Sequence, residues 1–222
     1  MSAPIVLIHG AWHGGWCFDE VTGPLRERGY DVEAPDLPFT GAEDDVAFAQ
    51  SVIAANPGAV VLGHSYGGFV ISHACVGQDV SHMVFLCAMV SEQAGQETLP
   101  PFQAEPALTS LLVPKDGMLS VDTSKGTDAF YHDCPESAIA KAVDHLRPMV
   151  MGAGQPSLDA VPPWKSVPST YVICSDDRAI SPEKQRAMAA LLHSQVEWDV
   201  SHSPFFAKPV LMVDLLAKLA DG

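Results

Sequence analysis

The sequence predicts an α/β protein built on a mainly parallel β-sheet. Short apolar runs alternate with longer segments of helical period, and most runs are almost continuously apolar, as in strands buried on both faces. Such alternation is typical of a parallel sheet wrapped by helices. The chain has 222 residues, 47% of them hydrophobic, which is enough for one domain with a sizeable core.

Six strands and the helices between them can be placed along the chain. Apolar runs predict strands at residues 5–8, 31–34, 59–62, 83–87, 170–174 and 196–198. Helical periodicity predicts helices at residues 16–28, 43–55, 66–77, 182–193 and 206–220. Because crossovers between parallel strands are right-handed, the carboxyl ends of the strands share one edge of the sheet.

A proline-rich segment at residues 91–168 interrupts this alternation. It contains no clear strand and one helical stretch, at residues 136–147, but its leucines, methionines and Phe130 provide apolar side chains to pack. A long insertion of this kind inside an α/β domain is more typical of a cap than of a linker. We therefore expect a core of residues 1–90 and 169–222, with a cap at 91–168 inserted after the fourth strand.

Charge and composition exclude several classes of partner. The chain carries 12 Lys and Arg against 27 Asp and Glu, a net charge of −15, with no basic cluster that could bind nucleic acid or anionic lipid. The five cysteines form no metal-binding spacing, and Cys75, Cys87 and Cys174, which lie in apolar runs, are expected to be buried free thiols. With no signal peptide and no apolar run that spans a bilayer, we expect a cytoplasmic protein without metal, cofactor, nucleic-acid or membrane partner.

The stretch "VVLGHSYGGFV", residues 60–70, places a serine between glycines where a strand ends and a helix begins. A tight turn between the two elements is one interpretation. The other is a nucleophile elbow at Ser65, because a serine in strained backbone geometry needs neighbours without a Cβ atom, here Gly63 and Gly67. The helix that follows would direct its N-terminal amides at an oxyanion formed there.

A nucleophilic serine needs a general base and a carboxylate that orients the base. The stretch "TYVICSDDRAI" places Asp176 and Asp177 just after a predicted strand, and "VEWDVSHSPFF" places His202 just after the next. The chain order Ser, Asp, His is the one that the nucleophile-elbow arrangement requires. One of the two aspartates is expected to be a turn or helix-cap residue. Ser65 and His202, with one of the aspartates, therefore form a candidate triad.

The glycine-rich stretch "VLIHGAWHGGW", residues 6–16, follows the first predicted strand. A tetrahedral intermediate needs two hydrogen-bond donors, and we expect the amide of Tyr66 to be one and that of Ala11 the other. A phosphate-binding loop is disfavoured, because the stretch has neither a Gly-Lys-Ser/Thr sequence nor the G-x-G-x-x-G spacing. Trp12 is a candidate for the wall of the substrate site, with a core aromatic as the alternative.

Taken together, "VLIHGAWHGGWCFDEV", "VVLGHSYGG", "YVICSDDRAISPEKQRAMA" and "SHSPFFAKP" resemble the α/β-hydrolase superfamily. Within it they are similar to the plant methylesterases and hydroxynitrile lyases and their bacterial esterase-like relatives. The resemblance implies the α/β-hydrolase fold with a trimmed, six-stranded sheet, and a Ser65–Asp177–His202 triad. The plant lyases carry threonine at the position of Gly10 and lysine at that of Ser203, and both departures favour ester hydrolysis.

The expected protein is a serine hydrolase that cleaves a small, partly hydrophobic carboxylic ester through an acyl-enzyme. A hydroxynitrile lyase-type C–C lyase with the same triad, a haloperoxidase or perhydrolase side activity, and a non-catalytic ligand receptor are the alternatives. Epoxide hydrolase and haloalkane dehalogenase chemistry is excluded, because both would need a carboxylate at position 65.

Overall fold

The computed structural model of the chain describes residues 2–99, 103–150 and 158–222. Its strands are β1 (Ile5–Ile8), β2 (Val32–Glu33), β3 (Ala59–His64), β4 (Val80–Leu86), β5 (Leu112–Lys115), β6 (Met118–Val121), β7 (Met149–Val150), β8 (Ser169–Cys174) and β9 (Ser194–Trp198). Its helices are α1 (Asp19–Glu27), α2 (Ala42–Ala55), α3 (Tyr66–Ala74), α4 (Pro106–Thr109), α5 (Asp128–Tyr131), α6 (Glu136–His145), α7 (Pro182–Ala189), α8 (Pro204–Ala207) and α9 (Pro209–Asp221).

The central sheet has six strands in the order β2-β1-β3-β4-β8-β9. Every pairing in it is parallel, which confirms the predicted fold class. Strands β1, β3 and β8 are buried along their whole length, and this burial explains why their sequences are nearly continuously apolar. Because the strands are parallel, the residues that follow β1, β3, β8 and β9 meet at one edge of the sheet.

The core has two layers, one on each face of the sheet. In β1, Ile5 and Leu7 belong to one buried cluster, while Val6 and Ile8 belong to the other, as the two-residue period of a strand requires. Side chains of α1 and α9 join the first cluster, and side chains of α2 and α3 join the second. Each fully buried aliphatic side chain contributes about 1.5–3 kcal/mol, so this burial positions the sheet edge firmly.

Two predicted helices differ from the structure at their ends. The helix predicted at 206–220 is divided into α8 and α9, with Lys208 non-helical (φ −144°, ψ 62°). Pro209 explains the break, because proline has no N–H to donate and pushes the residue before it out of the α region. The helix predicted at 66–77 ends at Ala74, three residues before Gly77, whose φ is +72°.

The predicted absence of strands in residues 91–168 is wrong. Strands β5, β6 and β7 form a separate antiparallel sheet in that order. The β5–β6 turn is Asp116-Gly117, with φ of +51° and +76°, the backbone of a two-residue hairpin turn. Asp-Gly between apolar runs is a known hairpin signal that could have predicted it. Residues 100–102 and 151–157 of this insertion lie outside the described residues.

Two sequence-based expectations concern the chain as a whole. All five cysteines are free, and all of them except Cys134 are buried. This outcome confirms the prediction of buried free thiols for Cys75, Cys87 and Cys174. No helix in the described part of the chain is both long enough and apolar enough to cross a membrane.

Candidate active site

Ser65 lies at the junction of β3 and α3 in a strained backbone conformation. Its φ is +52° and its ψ is −118°, a region that residues with a Cβ atom seldom occupy. Hydrogen bonds hold this geometry from both sides. The Ser65 N–H donates to Leu86 O over 3.1 Å, and the Ser65 carbonyl accepts from Gly68 N and Met89 N, each over 3.0 Å. The side chain of Ser65 is thereby held at the sheet edge.

The glycines around Ser65 are required by close approach of the backbone. A Cβ atom on Gly63 would lie 2.4 Å from the carbonyl oxygen of Gly67, and one on Gly67 would lie 2.4 Å from Ile8 O. Neither contact is sterically possible without moving the backbone. The steric role predicted for these glycines is confirmed, and it reflects how tightly α3 packs against the ends of β1 and β3.

Asp177, and not Asp176, contacts His202. Asp177 Oδ2 accepts from His202 Nδ1 over 2.6 Å, and both side chains are almost completely buried. Asp176 is exposed and its carboxylate accepts from His132 Nε2 over 2.9 Å. The residues alone did not distinguish the two aspartates, and in the structure only Asp177 contacts His202.

The Asp177 carboxylate accepts three further hydrogen bonds besides that from His202. Its Oδ1 atom accepts from the N–H groups of Ala179 and Ile180, over 2.7 and 3.0 Å. Its Oδ2 atom also accepts from Gln185 Nε2 over 2.7 Å. A buried carboxylate is stable as an anion only when its oxygens are satisfied in this way. These donors fix the orientation of the oxygen that faces His202.

Gln185 is a site residue that the sequence analysis missed. Its Oε1 atom accepts from Cys174 N over 2.8 Å, so its Nε2 atom must be the one that donates to Asp177 and, over 2.8 Å, to Ile180 O. Gln185 is fully buried, and Met188 and Ala189 on the same face of α7 are buried too. A glutamine on the apolar face of a predicted helix was the signal available.

His202 is held against His64, the residue that precedes Ser65. Its carbonyl accepts from His64 Nε2 over 2.9 Å and from the thiol of Cys87 over 3.6 Å, and the two imidazole rings lie 4.7 Å apart. With Nδ1 engaged by Asp177, Nε2 is the atom free to accept a proton. Within the described residues, the Ser65 hydroxyl makes no hydrogen bond at 3.5 Å or less.

One group of potential metal ligands lies at this point. Among the described residues, His64, Cys87 and His202 bring ligand atoms within 4.8 Å of one another. Burial raises the pKa of the Cys87 thiol, so that it stays protonated, and lowers the pKa of His64. The Cys87 thiol and His64 Nε2 both donate to the His202 carbonyl. The group therefore acts as a hydrogen-bonded support for the backbone of His202.

The loop after β1 touches the elbow directly. A Cβ atom on Gly10 would lie 2.9 Å from Ser65 Cβ and 2.8 Å from His64 Nδ1. Ala11 follows Gly10, and Tyr66 follows Ser65, so each predicted oxyanion donor is adjacent in the chain to one of the two residues that meet here. The Tyr66 hydroxyl is anchored separately, since it donates to the buried Asp45 over 2.9 Å.

Trp12 lies in the packed core between this loop and the insertion. It is 7% exposed, its Nε1 donates to Leu119 O over 3.0 Å, and its ring centroid is 6.0 Å from that of Phe130. Its carbonyl accepts from Arg147 N over 2.8 Å. These contacts match the core-aromatic alternative, and contact between Trp12 and a substrate stays a prediction.

Two buried neutral histidines support the loop after β1. Burial lowers the pKa of His9 to about 4 and that of His13 to about 3. His9 Nε2 accepts from Leu37 N over 2.9 Å, and His13 Nε2 accepts from the Tyr131 hydroxyl over 2.6 Å. In each ring, Nδ1 donates to a carbonyl of the same loop. Both histidines are therefore fixed hydrogen-bonding groups at neutral pH.

The fold and this arrangement define an α/β-hydrolase. Residues 5–215 match the sequence profile of the alpha/beta hydrolase family, and the chain belongs to this family. The resemblance and the fold predicted from the sequence are both confirmed.

Known proteins similar to the chain include plant esterases and a bacterial hydrolase. Methylesterase 2 of Arabidopsis thaliana is 27% identical over 98% of this chain and 95% of its own length. Esterase PIR7B of Oryza sativa subsp. japonica is 27% identical over 97% of this chain and 95% of its own length. The crystal structure of a pyrethroid hydrolase from Sphingobium faniae JZ-2 superposes with a TM-score of 0.83 at 24% identity, covering 100% of this chain and 98% of that one.

Proposed function

We propose that this protein is a serine esterase that cleaves a small, partly hydrophobic carboxylic ester. At the level of its class, the chain is a carboxylic ester hydrolase, as predicted, since relatives that span nearly all of it are named methylesterase and esterase. The single observation that supports the triad is the 2.6 Å hydrogen bond between His202 and Asp177. The backbone carbonyl of His202 is in turn bound by His64, the residue next to Ser65.

In the proposed mechanism, Ser65 Oγ attacks the ester carbonyl carbon while His202 Nε2 takes the hydroxyl proton. Asp177 keeps the Nδ1 proton in place and stabilises the imidazolium that forms. The amides of Ala11 and Tyr66 stabilise the oxyanion, and removal of one such donor typically costs about 10²–10³ in kcat. His202 then protonates the leaving alcohol as the C–O bond breaks, which leaves an acyl-enzyme.

Water completes the reaction. His202 removes a proton from the water molecule that attacks the acyl carbon, and the second tetrahedral intermediate collapses with the proton returned to Ser65 Oγ. The products are the free carboxylic acid and the regenerated enzyme. No redox step or external cofactor enters this sequence of proton transfers.

The substrate class follows from the charge and the surroundings of the site. A net charge of −15 disfavours strongly anionic esters. The Phe130 ring of the insertion lies 5.9 Å from the His202 ring, so an apolar side chain borders the proposed base. We infer that residues 91–168 form the cap and that it favours neutral, partly hydrophobic esters.

The geometry at Gly10 disfavours the lyase alternative. A threonine there would place its Cβ 2.8 Å from His64 Nδ1 and 2.9 Å from Ser65 Cβ, so the neighbouring side chains would have to shift. Ser203, at the position of the lyase lysine, is fully buried within the chain. Neither Gly10 nor Ser203 carries a charged group that could bind cyanide.

The test is hydrolysis of p-nitrophenyl acetate and butyrate by the wild-type protein, by Ser65→Ala and by Ser51→Ala. We expect Ser65→Ala to lower kcat on the order of 10⁴-fold or more, because loss of a nucleophile removes the acyl-enzyme route. Ser51 is exposed on α2 and serves as the matched control with wild-type activity. An unchanged rate in Ser65→Ala would contradict the proposal, and stoichiometric binding without turnover would favour a ligand receptor.

A further inference from the structure

Three consecutive residues of the insertion each contact a different loop at the carboxyl edge of the sheet. The Tyr131 hydroxyl donates to His13, in the loop after β1, over 2.6 Å. The next two residues continue the pattern. His132 Nε2 donates over 2.9 Å to the carboxylate of Asp176, in the loop after β8. Asp133 Oδ2 accepts over 2.8 Å from the N–H of Ser201, in the loop after β9. We call residues 131–133 the bridging segment.

We propose that Asp133 is a positioning residue that holds the His202 loop in its catalytic position. This inference rests on the proposed function, since it assigns a role in the same site. Asp133 bonds the backbone N–H of Ser201, one residue before the proposed base, while His64 binds the carbonyl of His202 itself. The backbone around the base is thus held by the insertion on one side and by the core on the other.

The contacts around Asp133 support a specific role for it. The bond from Ser201 N to a carboxylate is charge-assisted, a class about twice as strong as neutral hydrogen bonds. The Cys134 thiol, next in the chain, lies 3.8 Å from Ser203 O, so the loop is also contacted after His202. Ser201, His202 and Ser203 are all buried, whereas Asp133 reaches them from the exposed face of the insertion.

Loss of this bond should affect catalysis more than binding. Without Asp133 the N–H of Ser201 has no acceptor from the insertion, and the loop that carries His202 can shift. A displacement of about 1 Å between catalytic groups can cost on the order of 100-fold in rate. The ester-binding surface is unchanged, so KM should stay near its wild-type value. The core does not depend on the exposed Asp133 side chain, so its replacement should leave folding intact.

The variants that test this inference are Asp133→Ala, Asp133→Asn and Asp144→Ala. Asparagine keeps an oxygen that can accept from Ser201 N, and Asp144 is an exposed carboxylate of α6 that matches the change in charge. We expect Asp133→Ala to lower kcat on p-nitrophenyl acetate by about 10- to 100-fold with KM within about two-fold. Asp133→Asn and Asp144→Ala should stay within about three-fold of wild type in kcat.

A spectroscopic measurement separates this inference from the proposed function. The Nδ1 proton of His202, shared with Asp177 over 2.6 Å, should give a downfield proton resonance that His202→Ala removes. Asp133→Ala should shift or broaden it, and Asp133→Asn should not. If the wild-type protein hydrolyses no ester, the proposed function fails and this resonance alone decides the positioning role.

Two results would overturn the positioning role. One is a wild-type resonance and wild-type kcat in Asp133→Ala. The other is equal loss in Asp133→Ala and Asp133→Asn, because the acceptor oxygen would then not be the cause. Thermal unfolding of each variant checks that the kinetic change does not come from lost structure.

Discussion

The imidazole of His202 and the carboxylate of Asp177 share a hydrogen bond of 2.6 Å with both side chains almost fully removed from water. In this environment the carboxylate dictates which imidazole nitrogen carries the proton. Replacing Asp177 with asparagine would allow the amide to donate to Nδ1 and place the proton on the wrong nitrogen.

We therefore expect Asp177→Asn to lower kcat on the order of 10⁴-fold, the size of the effect for a triad carboxylate. Asp176→Asn, the adjacent exposed carboxylate, should lower kcat by less than about 10-fold, since it does not contact His202. Steady-state kinetics on p-nitrophenyl acetate gives both values. Equal losses in the two variants would mean that contact with His202 does not determine the role.

Gln185 should matter for both stability and rate. Gln185→Leu leaves the N–H of Cys174 without its acceptor and removes one of the two donors to Asp177 Oδ2, and a stranded buried polar group costs about 1–3 kcal/mol. We expect a lower unfolding free energy in urea and a kcat lowered on the order of 10- to 100-fold, because the oxygen of Asp177 that faces His202 is held less firmly. Ala187→Leu, exposed on the same helix, is the control. A fully active Gln185→Leu enzyme would show that Ala179 and Ile180 alone orient the carboxylate.

Two helical glycines should differ in how well they tolerate alanine. A Cβ on Gly67 in α3 would lie 2.4 Å from Ile8 O, whereas a Cβ on Gly23 in α1 meets nothing within 4 Å. Gly67→Ala should abolish activity or prevent folding. Gly23→Ala should keep activity and change the unfolding free energy by less than about 1 kcal/mol, because the better helix propensity of alanine is offset by crowding of its Cβ against the ring of Pro24. Urea denaturation and ester hydrolysis measure both, and an active, stable Gly67→Ala protein would contradict the close packing of α3 on β1.

Stability should fall as the pH drops below neutrality. Burial lowers the pKa of His9 from 6.5 to about 4 and that of His13 from 6.5 to about 3. Below pH 6.5 the unfolded chain binds protons that the folded chain does not, so lowering the pH favours unfolding until the folded-state values are reached. Each such histidine contributes a slope of about 1.4 kcal/mol per pH unit.

Urea unfolding between about pH 7.5 and 5 measures this slope. A flat profile over this range would mean that His9 and His13 bind protons equally well in the folded and unfolded chains.

Local sequence patterns were sufficient to predict the architecture of the core and the chain order of the catalytic candidates. All six core strands were placed within a few residues, and for β1, β3 and β8 the reason is burial on both faces, which favours nearly continuous apolar runs. The role of the glycines beside Ser65 could also be predicted from the local sequence, since a tight turn leaves no room for a Cβ atom. Chain order and strand ends together placed Ser65 and His202 at one edge of the sheet.

Other features depended on contacts between segments that are distant in sequence. Asp176 and Asp177 are neighbours in the chain, and only the path of the backbone after β8 decides which one meets His202. Gln185 and Asp133 act on residues 8 and 68 positions away along the chain, respectively. Neither hydrophobic periodicity nor a turn motif in the sequence indicates which residues make contact over such separations along the chain. Side-chain contacts of this kind arise from the relative placement of whole elements, which hydrophobic burial across the two core layers sets when the chain folds.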